Sequence, residues 1–289
     1  MIAAAPPLRR RLLGGTLRQH RENLGYTLDD AARILECDRS KISRIETGQR
    51  GISAKELREL LTEYGVPAGE QAALLAIAHR GRQHGWWQEY QDVLSDAGQD
   101  YVITETAASQ IQSYAACQVP DLLQTREYAQ AVADADPGWT ADLQRAHAVE
   151  VKLARQRAVL GERSPRLEFV VGEAALHQVV GGAAVMQPQL AWLAALADAA
   201  AGAATPTLSL QVLPFAAGAH AAAGCGSMAI LRFADTPGLG IVQLGGAAGG
   251  VCLESQADLA AHARVFEQLR AFALSPVESA RLLKGLAEI

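Results

Sequence analysis

Residues 27–50, TLDDAARILECDRSKISRIETGQR, decide how this chain begins to fold. Thr27 followed three positions later by Asp30 is a capping-box arrangement, so a helix starts at 28. Asp38 is placed to cap a second helix that runs to about Thr47 and stops at Gly48. Only a short turn separates the two. Leu28, Ala31, Leu35, Ile42 and Ile45, joined by Leu17 and Leu24 from upstream, fall where two crossed helices need a small shared core. Ala32 is small enough to let them approach closely. On the second helix Arg39, Ser40, Ser43 and Arg44 share one outward face, since positions i, i+1, i+4 and i+5 neighbour one another on a helix surface. Arginine matches the two major-groove acceptors of guanine, and serine serves several base edges. Lys41 and Arg50 suit phosphate, which positions without specifying. The pattern implies a helix offered to the major groove of duplex DNA.

Working outward, a preceding helix covers 12–23 and stops near Gly25. Ser53 with Glu56 forms another capping pair and opens a helix through 64. A fifth runs from about 70 toward 82. Five short helices with tight connections make an all-α unit over residues 1–82. Residues 83–100 read as a junction, with Trp86 and Trp87 adjacent and therefore unable to share one helix face. They pack at a core or interface, or stack on a ligand.

Residues 101–289 read as a mixed α/β unit. Helices are expected at 105–116, 122–135, 140–160, 186–200 and 256–274, with another opening at Glu173. Strands are expected at 167–172, 207–213, 227–233 and 240–244. Asp235-Thr-Pro-Gly238 supplies turn chemistry between the last two. The final helix has a strong start: Ser275 as N-cap, Pro276 next, Glu278 at the third helical position.

The net charge of −5 is unevenly placed. Residues 1–50 hold ten Lys/Arg against six acids, or +4, and the remainder carries −9. A basic head on an acidic body suits a protein whose N-terminal part alone meets phosphate. From Ala174 to Leu231 the only charged residue is Asp198. So long a charge-poor run implies a buried sheet with its covering helix, or else a pocket or partner-binding face. The four cysteines are scattered, with no C-x-x-C pair, so reduced thiols and a cytoplasmic location are expected, nucleoid-associated when DNA-bound. No stretch reads as a secretory signal or a membrane span.

Catalytic signals are lacking. The glycine clusters have neither nucleotide-loop spacing nor a lysine, and His79 and His84 are five apart, wrong for a helical zinc pair. No catalytic residue, metal or cofactor is expected, and the chain reads as a non-enzyme.

The segment SKISRIETGQR with its capped partner helix resembles the Xre, lambda-repressor-like helix-turn-helix family. The resemblance implies that Arg39, Ser40 and Arg44 read bases, that Thr27 and Leu28 bring the N-terminus of the earlier helix to phosphate, and that Arg21 with Glu46 forms an internal ion pair. Glu36 stands in the turn where that family often has glycine, which implies modest strain. Further on, GWWQEYQDVL, QIQSYAACQVPDLLQTREYAQAV, LARQRAVL, EAALHQVVGG, LSLQVLPFAAGAH and FEQLRAFALSPVES resemble the DUF5753-type domain of WhiJ-like actinobacterial regulators. That likeness implies a homodimer on a roughly palindromic operator, often with a small DUF397-type partner protein. Its C-terminal domain would sense a ligand or bind that partner; the alternative is an antitoxin-like protein that neutralises a partner and autoregulates its operon. The order strand, His220 loop, strand, strand, glycine-rich turn and helix also faintly resembles a degenerate phospholipase-D-like half. Ala222 stands where that catalytic pattern needs lysine. Trp86, Trp87 and His220 are the candidate pocket residues.

Overall fold

The computed structural model describes residues 6–80, 86–161, 164–202, 207–224, 226–234, 239–246 and 249–288. The N-terminal part holds five helices: α1 (Leu8–Asn23), α2 (Leu28–Ile34), α3 (Arg39–Glu46), α4 (Ala54–Glu63) and α5 (Ala68–Arg80). Their cappings follow the side-chain chemistry. Thr27 with Asp30 and Ser53 with Glu56 both close as reciprocal capping boxes. Asp38 does occupy the N-cap of α3, but its side chain makes no cap hydrogen bond. Leu12, Leu17, Ala31, Ile42, Ile45, Leu57, Leu60 and Leu61 are almost wholly buried and form the shared core. At Gly14 helix α1 touches the backbone of α3, where an added Cβ would stand 2.3 Å from the carbonyl oxygen of Ile45.

α1 begins at Leu8, one turn earlier than the capping pattern suggested. Pro7 sits at its N-cap and has no side-chain acceptor to offer. Asp100 supplies one from 92 residues away, accepting from the Leu8 amide at 2.8 Å. The first amides of a helix lack intrahelical acceptors and carry partial positive charge, so a carboxylate there both bonds and neutralises.

The second part opens with a 3-10 turn, Trp86–Tyr90, and α6 (Asp96–Glu105). Then come β1 (Gln110–Ala115), α7 (Arg126–Ala135), α8 (Asp142–Val159), β2 (Arg166–Gly172) and a five-residue α9 (Glu173–His177). α10 (Ala183–Gly202), β3 (Leu208–Leu213), β4 (Ser227–Arg232), β5 (Gly240–Gly246), β6 (Gly249–Leu253), α11 (Gln256–Phe272) and α12 (Pro276–Ala287) complete it. The six strands form one mixed sheet in the order β3-β2-β1-β4-β5-β6. β1, β2 and β3 are parallel, whereas β4, β5 and β6 join antiparallel.

Two expectations fail here, and one strand goes beyond those expected. The predicted helix 105–116 is the end of α6 followed by central strand β1, whose QIQSYA pairs with strands on both sides. An Ala-containing apolar run satisfies either period locally, and the sheet decides. The predicted helix 122–135 is broken: Asp121–Leu123 is a 3-10 turn, and Thr125 caps α7 by accepting from the Tyr128 amide. Strand β6 has no counterpart among the expected strands, since glycine disfavours strands until a partner such as β5 supplies the ladder. The turn expected at 235–238 lies outside the described residues.

Alternate residues send the sheet into two cores. Ile111, Leu167, Phe169, Val171, Leu210 and Val212 face α10 and α12 with Leu193, Ala197 and Leu283, and this cluster is continuous with Leu8 and Leu12 of α1. Tyr114, Val170, Met228, Ile230 and Val242 face α11 with Leu259, Phe266 and Leu269. The charge-poor run therefore largely enters core, as α10, β3 and β4, and its one charge, Asp198, pairs with Lys284 at 2.5 Å. Edge strand β3 is covered: the Val212 amide donates to Ser279 Oγ at 2.9 Å, and Leu274 N donates to Val212 O at 2.9 Å. This blunts an edge that could otherwise pair with another chain.

Two adjacent glycines test the α1–α3 contact. Gly14→Ala should destabilise the protein by about 3 kcal/mol, as backbone overpacking outweighs the helix propensity gained. Gly15→Ala meets nothing within 4 Å. It should stabilise by up to about 1 kcal/mol. Urea unfolding of both variants against the parent measures the contrast.

Candidate nucleic-acid interface

The turn between α2 and α3 is tight. Cys37 N donates to Ala32 O at 2.9 Å, and Glu36 takes φ 46°. Among the described residues it is the only non-glycine with positive φ. A Cβ there crowds the following carbonyl and costs roughly 1 kcal/mol. The strain is the consequence of turning the chain in so few residues without glycine.

α3 divides cleanly. Ile42, Ile45 and Glu46 are buried, Arg39, Ser40 and Arg44 are exposed, and Ser43 is half-buried. Arg44 Nε donates to Ser40 O at 3.2 Å, which lays its guanidinium along the helix surface. The N-terminus of α2, with Thr27 exposed and Leu28 half-buried, lies at solvent.

Helix α3 is anchored from below by charge. Arg21 of α1 donates Nε to Glu46 Oε1 at 2.7 Å and Nη2 to Glu46 Oε2 at 2.9 Å, a bidentate pair. Its remaining Nη1 donates to Tyr26 O at 2.6 Å, fixing the chain just before α2. The hydrogen bond to Glu46 raises the Arg21 pKa. Both side chains are under one-tenth exposed. Loss of either partner would leave a buried charge unpaired.

The disposition of the remaining cations is the most informative feature. Of the ten Lys/Arg in residues 1–50, six are engaged: Arg9 with Asp100, Arg11 with Glu254, Arg18 with Glu22, Arg21 with Glu46, Arg33 with Asp30 and Lys41 with Glu56. Within the described residues no carboxylate pairs with Arg10, Arg39, Arg44 or Arg50. Arg39 and Arg44 lie on the outer face of α3. Arg10 and Arg50 line one cleft with Gly51 and Ser53 beside the start of α4.

Lys41 belongs to the engaged group. Its Nζ donates to Glu56 Oε1 at 2.6 Å, and this bond, with those from Ser53, pulls the Glu56 carboxyl down to about 2. Lys41 thus ties α3 to α4 and is not a free cation. The charge of Arg10 is plain in the sequence, but only packing reveals that, among the described residues, it alone of Arg9, Arg10 and Arg11 is left without a carboxylate.

The residues grouped as a candidate pocket do not come together. Trp86 and Trp87 lie edge to face at 6.1 Å and are half-buried against the core shared with α1. His220 sits at the other face of the sheet, edge to face with Tyr114 at 5.9 Å, its buried Nδ1 without a hydrogen-bond partner. None of the three lines the cavity of about 330 Å³ that opens between α6, α8, the 118–122 segment and the sheet. Its wall is a charged cluster that sequence reading missed. Arg155 donates Nε and Nη2 to Glu105 at 2.8 and 2.9 Å and Nη1 to Asp121 Oδ2 at 3.0 Å. Arg155 falls at a buried position of α8 in LARQRAVL, and a charge on an apolar helix face was the available signal. Among the described residues no group of three His, Cys, Asp or Glu could hold a metal ion, and no helix is long and apolar enough to cross a membrane.

Fold and surface together define a helix-turn-helix protein with a mixed α/β body. The model of a helix-turn-helix domain (HTH_31) matches residues 12–74, and that of a domain of unknown function (DUF5753) matches residues 99–285, more than half of the chain. The chain belongs to the DUF5753 family, and its N-terminal match marks it as a DNA-binding regulator. Comparison with curated proteins and with solved structures finds no match. Nothing among these findings supports a phospholipase-D-like half, and buried Ala222 replaces the lysine it would need.

Two outcomes check the anchoring. Glu46→Gln or Arg21→Met should each destabilise by about 3 kcal/mol, whereas the paired apolar replacement Arg21→Met with Glu46→Leu should lose much less. Denaturant unfolding and a double-mutant cycle measure this. For Glu56, whose folded carboxyl is depressed, the stabilisation is whole above 4.5 and vanishes as pH falls through about 2. The drop in stability across that window should be smaller in Glu56→Gln, as read by thermal unfolding at each pH.

Proposed function

We propose that this chain is a sequence-specific transcription regulator that binds duplex DNA as a homodimer. In this reading α3 enters the major groove, with Arg39, Ser40, Ser43 and Arg44 at base edges. The N-terminus of α2 at Thr27 and Leu28, together with Arg10 and Arg50, meets phosphate. Lys41 braces α4. The observation that carries the reading is the distribution of paired charge: of the ten Lys/Arg in residues 1–50, the four with no carboxylate among the described residues lie on the outer face of α3 and in the cleft beside α4. Two copies would present their α3 helices to half-sites about one helical turn, roughly 34 Å, apart on palindromic DNA. The division of labour falls across 83–100, with 1–82 binding DNA and 101–289 controlling it from the cytoplasm by sensing a small molecule.

A second reading, a body that binds and neutralises a small partner protein while the helix-turn-helix unit represses its own operon, draws on one observation. Val179, Trp192 and Phe215 are exposed apolar side chains on the charge-poor stretch. Co-purification with a small partner of the DUF397 type favours that reading over the first.

Selection from randomised duplexes at moderate salt tests the main proposal; enrichment of no sequence sinks it. On the selected duplex, Arg44→Ala should lose about 1–3 kcal/mol of discrimination at a single base position per half-site. Arg50→Ala should weaken all sequences alike and reduce the slope of log K against log salt by about 1.

A further inference from the structure

The cavity beside Arg155 has the volume of a small-molecule site and is not explained by fold stability. Buried Arg–carboxylate pairs hold a fold no better than well-packed apolar residues of the same size. Here the pair lines a space of about 330 Å³, within the range of roughly 300–1,000 Å³ usual for ligand sites. Phe169 and Tyr101 supply aromatic wall, and Ser113, Gln118 and Gln243 supply polar atoms.

The charge chemistry of the wall restricts the occupant. Glu105 takes the Nε and Nη2 edge of the Arg155 guanidinium, and Asp121 binds its Nη1. Lys152, the next cation, lies 3.3 Å from Asp121 Oδ1, and the Arg155 guanidinium stands 5.8 Å over the Tyr101 ring. An anion entering here would find its cations engaged and two carboxylates facing it. A molecule with N–H or O–H donors and no negative charge meets acceptors instead.

The same helix that walls the cavity also holds the DNA-binding unit. α6 contributes Tyr101 and Glu105 to the cavity, and Asp100, one residue earlier, accepts from the Leu8 amide at 2.8 Å and from Arg9 Nη2 at 3.0 Å. A second tie runs through β5 and β6. Gln243 lines the cavity and contacts Cys252, and two residues on Glu254 accepts from Arg11 Nε at 2.8 Å. Both ties end on the first turn of α1, whose Gly14 and Arg21 seat α3.

Resting on the reading of the chain as a ligand-controlled regulator, we propose that this cavity binds a small, hydrogen-bond-donating organic molecule without negative charge, and that α6 conveys its occupancy through Asp100 to α1. A displacement of α6 on binding is passed to α1 through the Asp100 cap, and α3, held on α1 at Gly14 and Arg21, moves with it relative to the rest of the body. The ligand thereby changes affinity for DNA by favouring one arrangement of the two units.

The full-length protein is titrated calorimetrically with tyramine and with 4-hydroxyphenylacetate, which share a ring and differ in charge. Tyramine should bind at least tenfold more tightly. Ser113→Phe and Ala229→Phe each put a ring into the cavity from a half-buried strand position, and each should abolish that binding. Hydrogen exchange of the parent protein gives an independent readout, with protection by tyramine expected at residues 101–105 and 113–122. Absence of tyramine binding, preference for the anion, or protection confined elsewhere overturns the site. For the coupling, saturating tyramine should shift the affinity for the selected duplex at least threefold. In Asp100→Asn the shift should shrink to under 1.5-fold, roughly, while tyramine affinity stays within about twofold of the parent (a difference under about 0.4 kcal/mol). An undiminished shift in that variant overturns the α6 route. Failure to select any duplex defeats the regulator reading, while calorimetry and hydrogen exchange, which need no DNA, still decide the cavity.

Discussion

Helix α1 is pinned at both ends by carboxylates from elsewhere in the chain. Asp100 completes its first turn, where Pro7 cannot, and Glu46 receives Arg21 near its last. Between these points Gly14 brings its backbone against α3 closely enough that any side chain there would collide. α3 therefore has little freedom to roll or slide on α1, and α1 has little freedom relative to α6. One rod sets how the outer face of α3 is presented with respect to the body.

Carboxylate placement also sorts the basic residues. Arg9, Arg11, Arg21 and Lys41 lie at contacts between elements, where partial burial makes an unpaired cation unfavourable, and each has an acid within 3.0 Å. Arg39, Arg44 and Arg50 are exposed, where water solvates a cation well and a fixed acid adds little. At the contacts between elements the fold neutralises its cations, and the four left unpaired among the described residues of this N-terminal part keep its surface basic. The acidic balance of the remaining chain opposes indiscriminate wrapping on DNA.

The body solves a different problem. Its six-stranded sheet is covered on both faces, with α10 and α12 on one side and α11 on the other, so most residues of β1, β2 and β3 enter a core, while β6 at the edge stays partly exposed. As a rule the polar side chains inside are hydrogen-bonded, His220 Nδ1 being an exception. Glu168, for example, accepts from Gln110 at 2.8 Å and Gln112 at 2.9 Å. The Arg155 cluster obeys the same rule but borders open volume, and there burial and accessibility coincide.

What the sequence alone determined is local. The capping boxes at Thr27, Ser53 and Ser275, the outward face of α3, and strands such as 167–172 and 207–213 are read from spacing, because caps and periodicity act within a few residues. The helix wrongly expected at 105–116 shows the limit, since an Ala-containing segment suits either period until β2 and β4 pair with it. Only the tertiary structure decided that Asp100 caps α1, that Lys41 is engaged by Glu56, and that Glu105, Asp121 and Arg155 meet at a cavity. These groups are 15 to 92 residues apart, and at such separations a charge has many potential partners. Packing, not spacing, selects among them.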